Sequence, residues 1–144
     1  MVHRLSLTCH TFFQRFGLSF LRNSLAIVFF WFGILKPLGL SPAAQLVEST
    51  VFWFSSSWFV PVLGFWEMAI GILMFTKRSQ LALFLLLPHM AGTFLPLIVV
   101  PEVTFVNSPL ILSLEGQYII KNLVLIASAI AVTGLTEVSQ DKAG

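Results

Sequence analysis

Charged residues and cysteines are both scarce in this sequence of 144 residues. Asp, Glu, Lys and Arg make up 10% of it, against about 25% in an ordinary soluble domain, and hydrophobic residues make up 57%. The only cysteine, Cys9, excludes an intrachain disulfide and a CxxC redox pair. A net charge of +2, spread along the chain, does not indicate a nucleic-acid partner. The composition predicts a single membrane domain over residues 1–144, with the lipid bilayer as its surroundings.

Recognisable catalytic motifs are missing as well. The sequence contains no Walker motif, no GxSxG, no GxGxxG and no zinc-ligand spacing. His3 and His10 belong to the basic N-terminal segment, so His89 is the only histidine in an apolar stretch. One histidine cannot ligate a haem from both sides. The sequence therefore predicts no metal site and does not specify a reaction.

Four apolar stretches approach the length of about 20 residues that a helix needs to cross a bilayer. They cover approximately residues 20–36, 60–75, 81–99 and 117–135. The predicted fold is all-α, a polytopic membrane four-helix bundle. The first stretch follows basic residues, as in a signal peptide, but it ends in Lys36-Pro37 without a small-x-small cleavage site. We therefore interpret it as a retained span.

The basic residues predict the orientation, because lysine and arginine favour cytoplasmic loops. The connections after spans one and three contain no lysine or arginine. The basic residues of the other side are Arg4, Arg15, Arg22, Lys77, Arg78 and Lys142. We therefore expect a cytoplasmic N-terminus, a cytoplasmic C-terminus and two outer loops.

The first outer loop contains an aromatic segment, VFWFSSSWFV, at residues 51–60. Aromatic side chains gather at the level of the lipid headgroups. We expect this segment to lie on the outer membrane interface as a short helix. The alternative is that it packs back over the bundle as a lid.

Five polar side chains lie within the spans or at their ends, and the expected topology places all of them in the outer half of the membrane. They are Lys36, Glu67, His89, Lys121 and Asn122. An ionisable group near the bilayer centre costs about 2.5–3.5 kcal/mol on insertion scales, so such groups face the protein and find partners. We expect Glu67 to pair with Lys36, with Lys121 or with both. The cluster is either a set of buried ion pairs that fixes helix register or a ligand or proton-relay site.

Helical spacing predicts which faces turn inward. Gly64 and Gly71 share a face with Glu67, which allows a neighbouring helix to come close. In span four the spacing favours an inward face that contains Tyr118 and Lys121, with Asn122 beside it. In span three, Pro88 and Pro96 are expected either to bend the helix and open space at His89 or to serve packing only. His89 itself is then either a structural histidine or a hydrogen-bond donor and proton carrier for a quinone-like ligand.

Several of these residues belong to three short sequence motifs, one in each of spans one and two and one at the start of span four. They are W-x-G-x-x-K (Trp31, Gly33, Lys36), G-x-x-E-x-x-x-G (Gly64, Glu67, Gly71) and G-x-x-x-x-K-N (Gly116, Lys121, Asn122). With these motifs, residues 22–134 resemble the DoxX-like superfamily of small four-helix membrane proteins. The chain is also similar to membrane proteins of the reactive-chlorine response, although its first outer loop is shorter than theirs.

The resemblance implies a four-span fold in a bacterial inner membrane. The founding member of the superfamily is described as a small subunit of a thiosulfate:quinone oxidoreductase, and many members have no assigned activity. The function implied here is that of a subunit or accessory of a quinone-linked redox system, with quinone as cofactor and a redox-enzyme subunit as partner. The alternative is a non-enzymatic small-molecule carrier or a structural membrane protein that acts as a homo-oligomer.

The candidate site residues follow from that hypothesis. The ligand-binding or proton-relay candidates are Lys36, Glu67, His89, Lys121 and Asn122. The candidates for walls that stack on a ligand ring are Trp31, Trp66 and Tyr118.

Overall fold

The computed structural model describes residues 2–76, 78–107 and 110–141, with side chains described in these ranges except at 2–15, 56 and 137–141. Its helices are α1 (Val2–Leu35), α2 (Ala44–Thr50), α3 (Ser56–Phe75), α4 (Ser79–Thr93), α5 (Pro96–Val99), α6 (Pro101–Thr104) and α7 (Leu114–Asp141). Within these described ranges the only β pairing is an isolated bridge between Phe105 and Leu112. The predicted all-α fold is confirmed.

Among the described residues, four helical segments are long and apolar enough to cross a membrane. They are Phe16–Leu35, Ser57–Phe75, Ser79–Val99 and Leu114–Thr136. Each begins a few residues before the corresponding predicted stretch. The reason is physical: hydropathy marks where the continuous apolar run begins, whereas the helix also takes in flanking residues of mixed polarity, such as Ser57, Ser79 and Glu115, for as long as its backbone hydrogen bonds continue.

The four long helices form a closed ring, in which α1 packs on α3, α3 on α4, α4 on α7 and α7 on α1. The α1–α3 contact is the most extensive. Consecutive long helices run in opposite directions. We use the term Lys36 end for the end of the bundle where α1 stops, where α3 and α7 start, and where α2, α5 and α6 lie. The opposite end, where α4 starts, is termed the Arg78 end.

Buried or half-buried side chains recur every three or four residues along each long helix, so that one stripe of each helix faces the centre. The buried core consists of Leu25, Ala26, Phe29, Ile70, Met74, Ala82, Leu86, Met90, Ala129 and Val132. The outward faces are also apolar, with Phe32, Phe84 and Ile98 all exposed. Apolar residues on both the inside and the outside are expected of helices that cross a bilayer.

Glycines bring α1 and α3 into close contact. A Cβ atom added to Gly64 would lie 2.6 Å from the Gly33 carbonyl oxygen, and one added to Gly71 would lie 2.7 Å from the Phe30 nitrogen. Such approaches are shorter than side-chain carbons tolerate, so only glycine fits at these two points. The predicted glycine face of span two therefore packs against span one.

The α4–α7 pair is joined near the Arg78 end by Thr133, whose hydroxyl is shared between the Ala129 carbonyl oxygen of α7 at 2.9 Å and the Ser79 carbonyl oxygen of α4 at 3.3 Å. At its other end α4 stops at Thr93, and α5 starts again at Pro96. Proline has no N–H to donate, so Pro96 cannot continue the helical hydrogen bonds, and the Leu95 N–H bonds the Gly92 carbonyl oxygen in a tighter turn at 3.1 Å. Pro88, in contrast, lies inside α4 without ending it.

The aromatic segment does not form the expected short helix. Residues 51–54 are turn and bend, α3 already begins at Ser56, and the short helix of this loop is α2. Phe52 and Trp53 are 74% and 55% exposed, so the segment does not pack over the bundle as a lid. Its rings contact one another instead, with Phe54 stacked on Phe59 at 5.0 Å between centroids. The segment is divided because Ser55 has extended backbone angles and separates the turn at 51–54 from the first turn of α3.

Candidate functional site

Three ionisable side chains meet in the interior near the Lys36 end. Lys36 Nζ donates to Glu67 Oε2, and His89 Nε2 lies 2.9 Å from Glu67 Oε1. The residues are only 7%, 8% and 6% exposed, respectively. We term this group the Lys36–Glu67–His89 triad. The expected pairing of Glu67 with Lys36 is confirmed, and His89 is a second partner that the sequence did not specify.

The buried stripes of three helices bring the triad together. Lys36 follows the last residue of α1 and continues the stripe of Phe29 and Gly33. Glu67 lies in the middle of α3, between the two glycines that touch α1. His89 comes one turn after the buried Leu86 on α4. The close α1–α3 contact therefore sets the distance between ammonium and carboxylate.

The imidazole of His89 is incompletely satisfied. Its contact with Glu67 is an ion-pair approach and not an aligned hydrogen bond, and Nδ1 has no hydrogen-bond partner among the described residues. The edge of the ring contacts Phe29, with centroids 6.5 Å apart and planes at 74°. Buried polar atoms are usually paired, so Nδ1 is a free position for a proton or for the polar atom of a ligand.

A second polar contact lies one turn further along α4. Asn122 Nδ2 on α7 donates to Thr93 Oγ1 at 2.9 Å, and Thr93 Oγ1 donates to the Met90 carbonyl oxygen at 2.7 Å. Both side chains are half-buried. The contact connects α7 to the same part of α4 that supplies His89. Asn122 is therefore placed beside the triad, as expected of a residue in one polar layer.

Lys121 and Tyr118 lie elsewhere, and the expectation for them was wrong. Both are exposed on the outside of α7, with Lys121 Nζ 4.4 Å from the Tyr118 ring centroid. The buried stripe of α7 passes through Ile119 and Ala129 and is completed by the half-buried Asn122. Residues 121 and 122 point about 100° apart around a helix. Because the prediction placed Lys121 and not Asn122 at the centre of the inward face, the whole predicted face was rotated by that angle. Lys121 consequently does not pair with Glu67.

The two tryptophans do not form stacking walls around the triad. Trp31 and Trp66 are 62% and 40% exposed on the outside of the bundle. Trp66 has a different contact, since its Nε1 donates to the Leu85 carbonyl oxygen of α4 at 3.0 Å. It thereby holds α3 and α4 together next to Glu67, which makes it a positioning residue for the triad.

Two contributors were not predicted as site residues. Thr93 receives the Asn122 amide, and Phe29 covers one edge of the imidazole. The spacing contained a signal for both, because Thr93 lies four residues after His89 and Phe29 lies seven residues before Lys36. Each therefore shares a helix face with a triad residue.

The triad can hold and exchange a proton between a carboxylate and an imidazole, with an ammonium fixing the carboxylate. Among the residues that the structure describes, no three His, Cys, Asp or Glu side chains are grouped to hold a metal ion. No family model, curated protein or solved structure matches the chain. The functional assignment therefore rests on the triad and its surroundings.

Proposed function

We propose that this chain is a DoxX-type integral protein of a bacterial inner membrane and a subunit or accessory of a quinone-linked redox system. The single observation that supports this most is the Lys36–Glu67–His89 triad. A chain with only 10% charged residues buries three ionisable side chains together between helices long enough to cross a membrane. Ionisable groups in such positions are costly and point to function by default.

The proposed orientation follows from charge. With the basic N-terminal segment and Arg78 on the cytoplasmic side, the Lys36 end faces outward. Glu67 lies ten residues after the described start of the second span at Ser57, or about 15 Å along the helix at 1.5 Å per residue. The triad would then lie in the outer half of the bilayer. A proton would have only a short distance to travel between the triad and the outer side.

The arrangement suits a proton relay. Glu67 faces His89 with one oxygen and is held by Lys36 through the other. The imidazole can therefore take a proton at Nδ1 while its Nε2 side remains stabilised by the carboxylate. Reduction of a quinone takes up protons together with electrons, so a membrane subunit of a quinone-linked system needs such groups.

The described residues fit a quinone in part. His89 Nδ1 is a buried, unpartnered position that can donate to a carbonyl oxygen once it has taken up a proton. Trp31 and Tyr118, however, are on the outside of the bundle and do not provide stacking walls next to it. In the proposal, His89 and Glu67 hold and pass the proton, Lys36 holds Glu67, and Trp66 and Asn122 position the helices.

A structural role is the second candidate, and one observation favours it. The triad links α1, α3 and α4, so the same contacts can fix the register of three helices. In this case the chain would act as a carrier or as an oligomeric membrane protein. Removing the Glu67 charge would then disturb assembly without removing any bound molecule.

Glu67→Gln separates the two functions. The matched control is Glu48→Gln, the same chemical change at an exposed position of α2. Each tagged protein is gently extracted from its own membrane, and native mass spectrometry measures bound quinone and co-purifying subunits. A melting curve in detergent measures stability. We expect the wild type and Glu48→Gln to retain quinone or a redox subunit. We expect Glu67→Gln to lose it while keeping a melting transition, at a lower temperature because Lys36 is left without its partner.

Two results would speak against the redox function. One is a wild-type protein that carries neither quinone nor an oxidoreductase subunit. The other is a Glu67→Gln protein that loses its oligomeric state or its melting transition while nothing else changes. The second result would assign the triad to structure.

A further inference from the structure

The cation of Lys121 lies on a face that has no other charge. Around α7 its neighbours on the same side are Leu114, Gln117, Tyr118 and Val124, all exposed. Glu115 is six residues away and points about 120° to the side. Among the described residues, the ion pairs do not involve Lys121. A lysine on the outside of a membrane-crossing helix is therefore left without a counter-charge among the described side chains.

The depth of the ammonium group limits what can neutralise it. Lys121 comes seven residues after the start of α7, which is about 10 Å along the axis at 1.5 Å per residue. Side chains lean toward the N-terminus of their helix, which for α7 is the Lys36 end. Nζ lies over the ring of Tyr118, three residues closer to that end. The charge is thus brought to within about 6 Å of the helix start, the depth of lipid esters and phosphates.

We propose that Lys121 and Tyr118 form a binding site for the phosphate of an anionic phospholipid in the leaflet at the Lys36 end. The ammonium supplies the charge, and the Tyr118 ring holds it in place through a cation–π contact. The apolar face formed by Leu114 and Val124 contacts the acyl chains. A lipid is favoured over a protein partner because a partner helix would have to bury a carboxylate against this apolar face. The site is separate from the triad and does not depend on the redox proposal.

Lipid titration tests the site. The purified full chain is delipidated in mild detergent and titrated with phosphatidylglycerol or with phosphatidylcholine, and bound lipid is read by native mass spectrometry. A basic side chain near a membrane surface strengthens binding to anionic lipid about fivefold. We expect the wild type to prefer phosphatidylglycerol, and Lys121→Met to lose about fivefold of its phosphatidylglycerol affinity with little change for phosphatidylcholine.

Three further variants localise the effect. Lys121→Arg and Tyr118→Phe keep the charge and the ring, so both should bind as the wild type does. Tyr118→Leu removes the ring and should give a smaller loss than Lys121→Met. Equal binding of both lipids by the wild type, or unchanged binding by a folded Lys121→Met protein, would overturn the proposal. A dimer that Lys121→Met dissociates would also overturn it, because the counter-charge would then come from a second copy.

Discussion

Glu67 shows how a single residue can be both costly and required. Its carboxylate is buried, and each oxygen faces a different basic side chain, Lys36 or His89. Such a buried ion pair stabilises the fold little more than two apolar side chains of similar volume would. Removal of one partner is different, because it leaves the other charge buried without compensation.

Lys36→Met is therefore expected to lower the free energy of unfolding by about 3–5 kcal/mol. The double variant Lys36→Met/Glu67→Met should regain most of that loss, since neither buried charge remains. Lys121→Met is the matched control, the same replacement at an exposed lysine, and should change stability by no more than about 0.5 kcal/mol. Denaturant titration in mixed micelles measures all three. A loss of similar size at Lys121 would contradict the assignment of Lys36 as the partner of Glu67.

Residue identity alone predicted part of the site. Scarcity of charge identified Lys36, Glu67 and His89, since any ionisable residue in so apolar a chain stands out. The distinction between Lys121 and Asn122 was beyond the sequence. Both are polar and adjacent, and only packing against α4, through Thr93, decides which one turns inward.

At the scale of helices, the glycines of α3 are the most demanding feature. Gly64 and Gly71 contact the backbone of α1 so closely that any side chain must push the helices apart. By contrast, Gly92 in α4 and Gly134 in α7 have nothing within 4 Å of where a Cβ would be.

Gly64→Ala and Gly71→Ala should each destabilise the protein by about 1–3 kcal/mol, the usual cost of overpacking. Gly92→Ala and Gly134→Ala are the matched controls and should be neutral or stabilising by up to about 1 kcal/mol, because alanine favours helix. Thermal or denaturant unfolding of the four variants in one detergent distinguishes the pairs. Equal effects at all four positions would mean that helix propensity, and not the α1–α3 contact, determines the outcome.

Helix existence was predictable, whereas helix ends and loop helices were not. Long apolar runs favour helix, because in lipid a helix satisfies its backbone polar groups within its own segment. The loop helix α2 carries the sequence AQLVEST, which has no strong pattern and depends on contacts with α3 and α5. The break between α4 and α5 was signalled by Pro96, although Pro88 carries the same signal and does not break α4.

For the whole molecule, the proposed orientation has a direct test. The test uses Cys9→Ser protein in which Ser49, Glu102 or Thr76 is replaced singly by cysteine. All three positions are exposed, the first two at the Lys36 end and the third at the Arg78 end. A membrane-impermeant maleimide added to sealed right-side-out vesicles should label cysteines at 49 and 102, and label one at 76 only after lysis. Labelling of position 76 in sealed vesicles would reverse the orientation and place the triad in the inner half of the membrane.

The bundle consists of two helix pairs, α1 with α3 and α4 with α7. We term the α3–α4 interface between the two pairs the seam. Glycines lock α1 to α3, and Thr133 and Asn122 tie α7 to α4. Across the seam from α3 to α4, the polar contacts of the described residues are Glu67–His89 and Trp66–Leu85, both in the part of the bundle nearer the Lys36 end. Toward the Arg78 end the chain itself joins the two helices, because only three residues separate the end of α3 at Phe75 from the start of α4 at Ser79. The two polar contacts therefore hold α3 and α4 together at the end of the pair that no short connection joins, and without them the helices would splay apart from that connection.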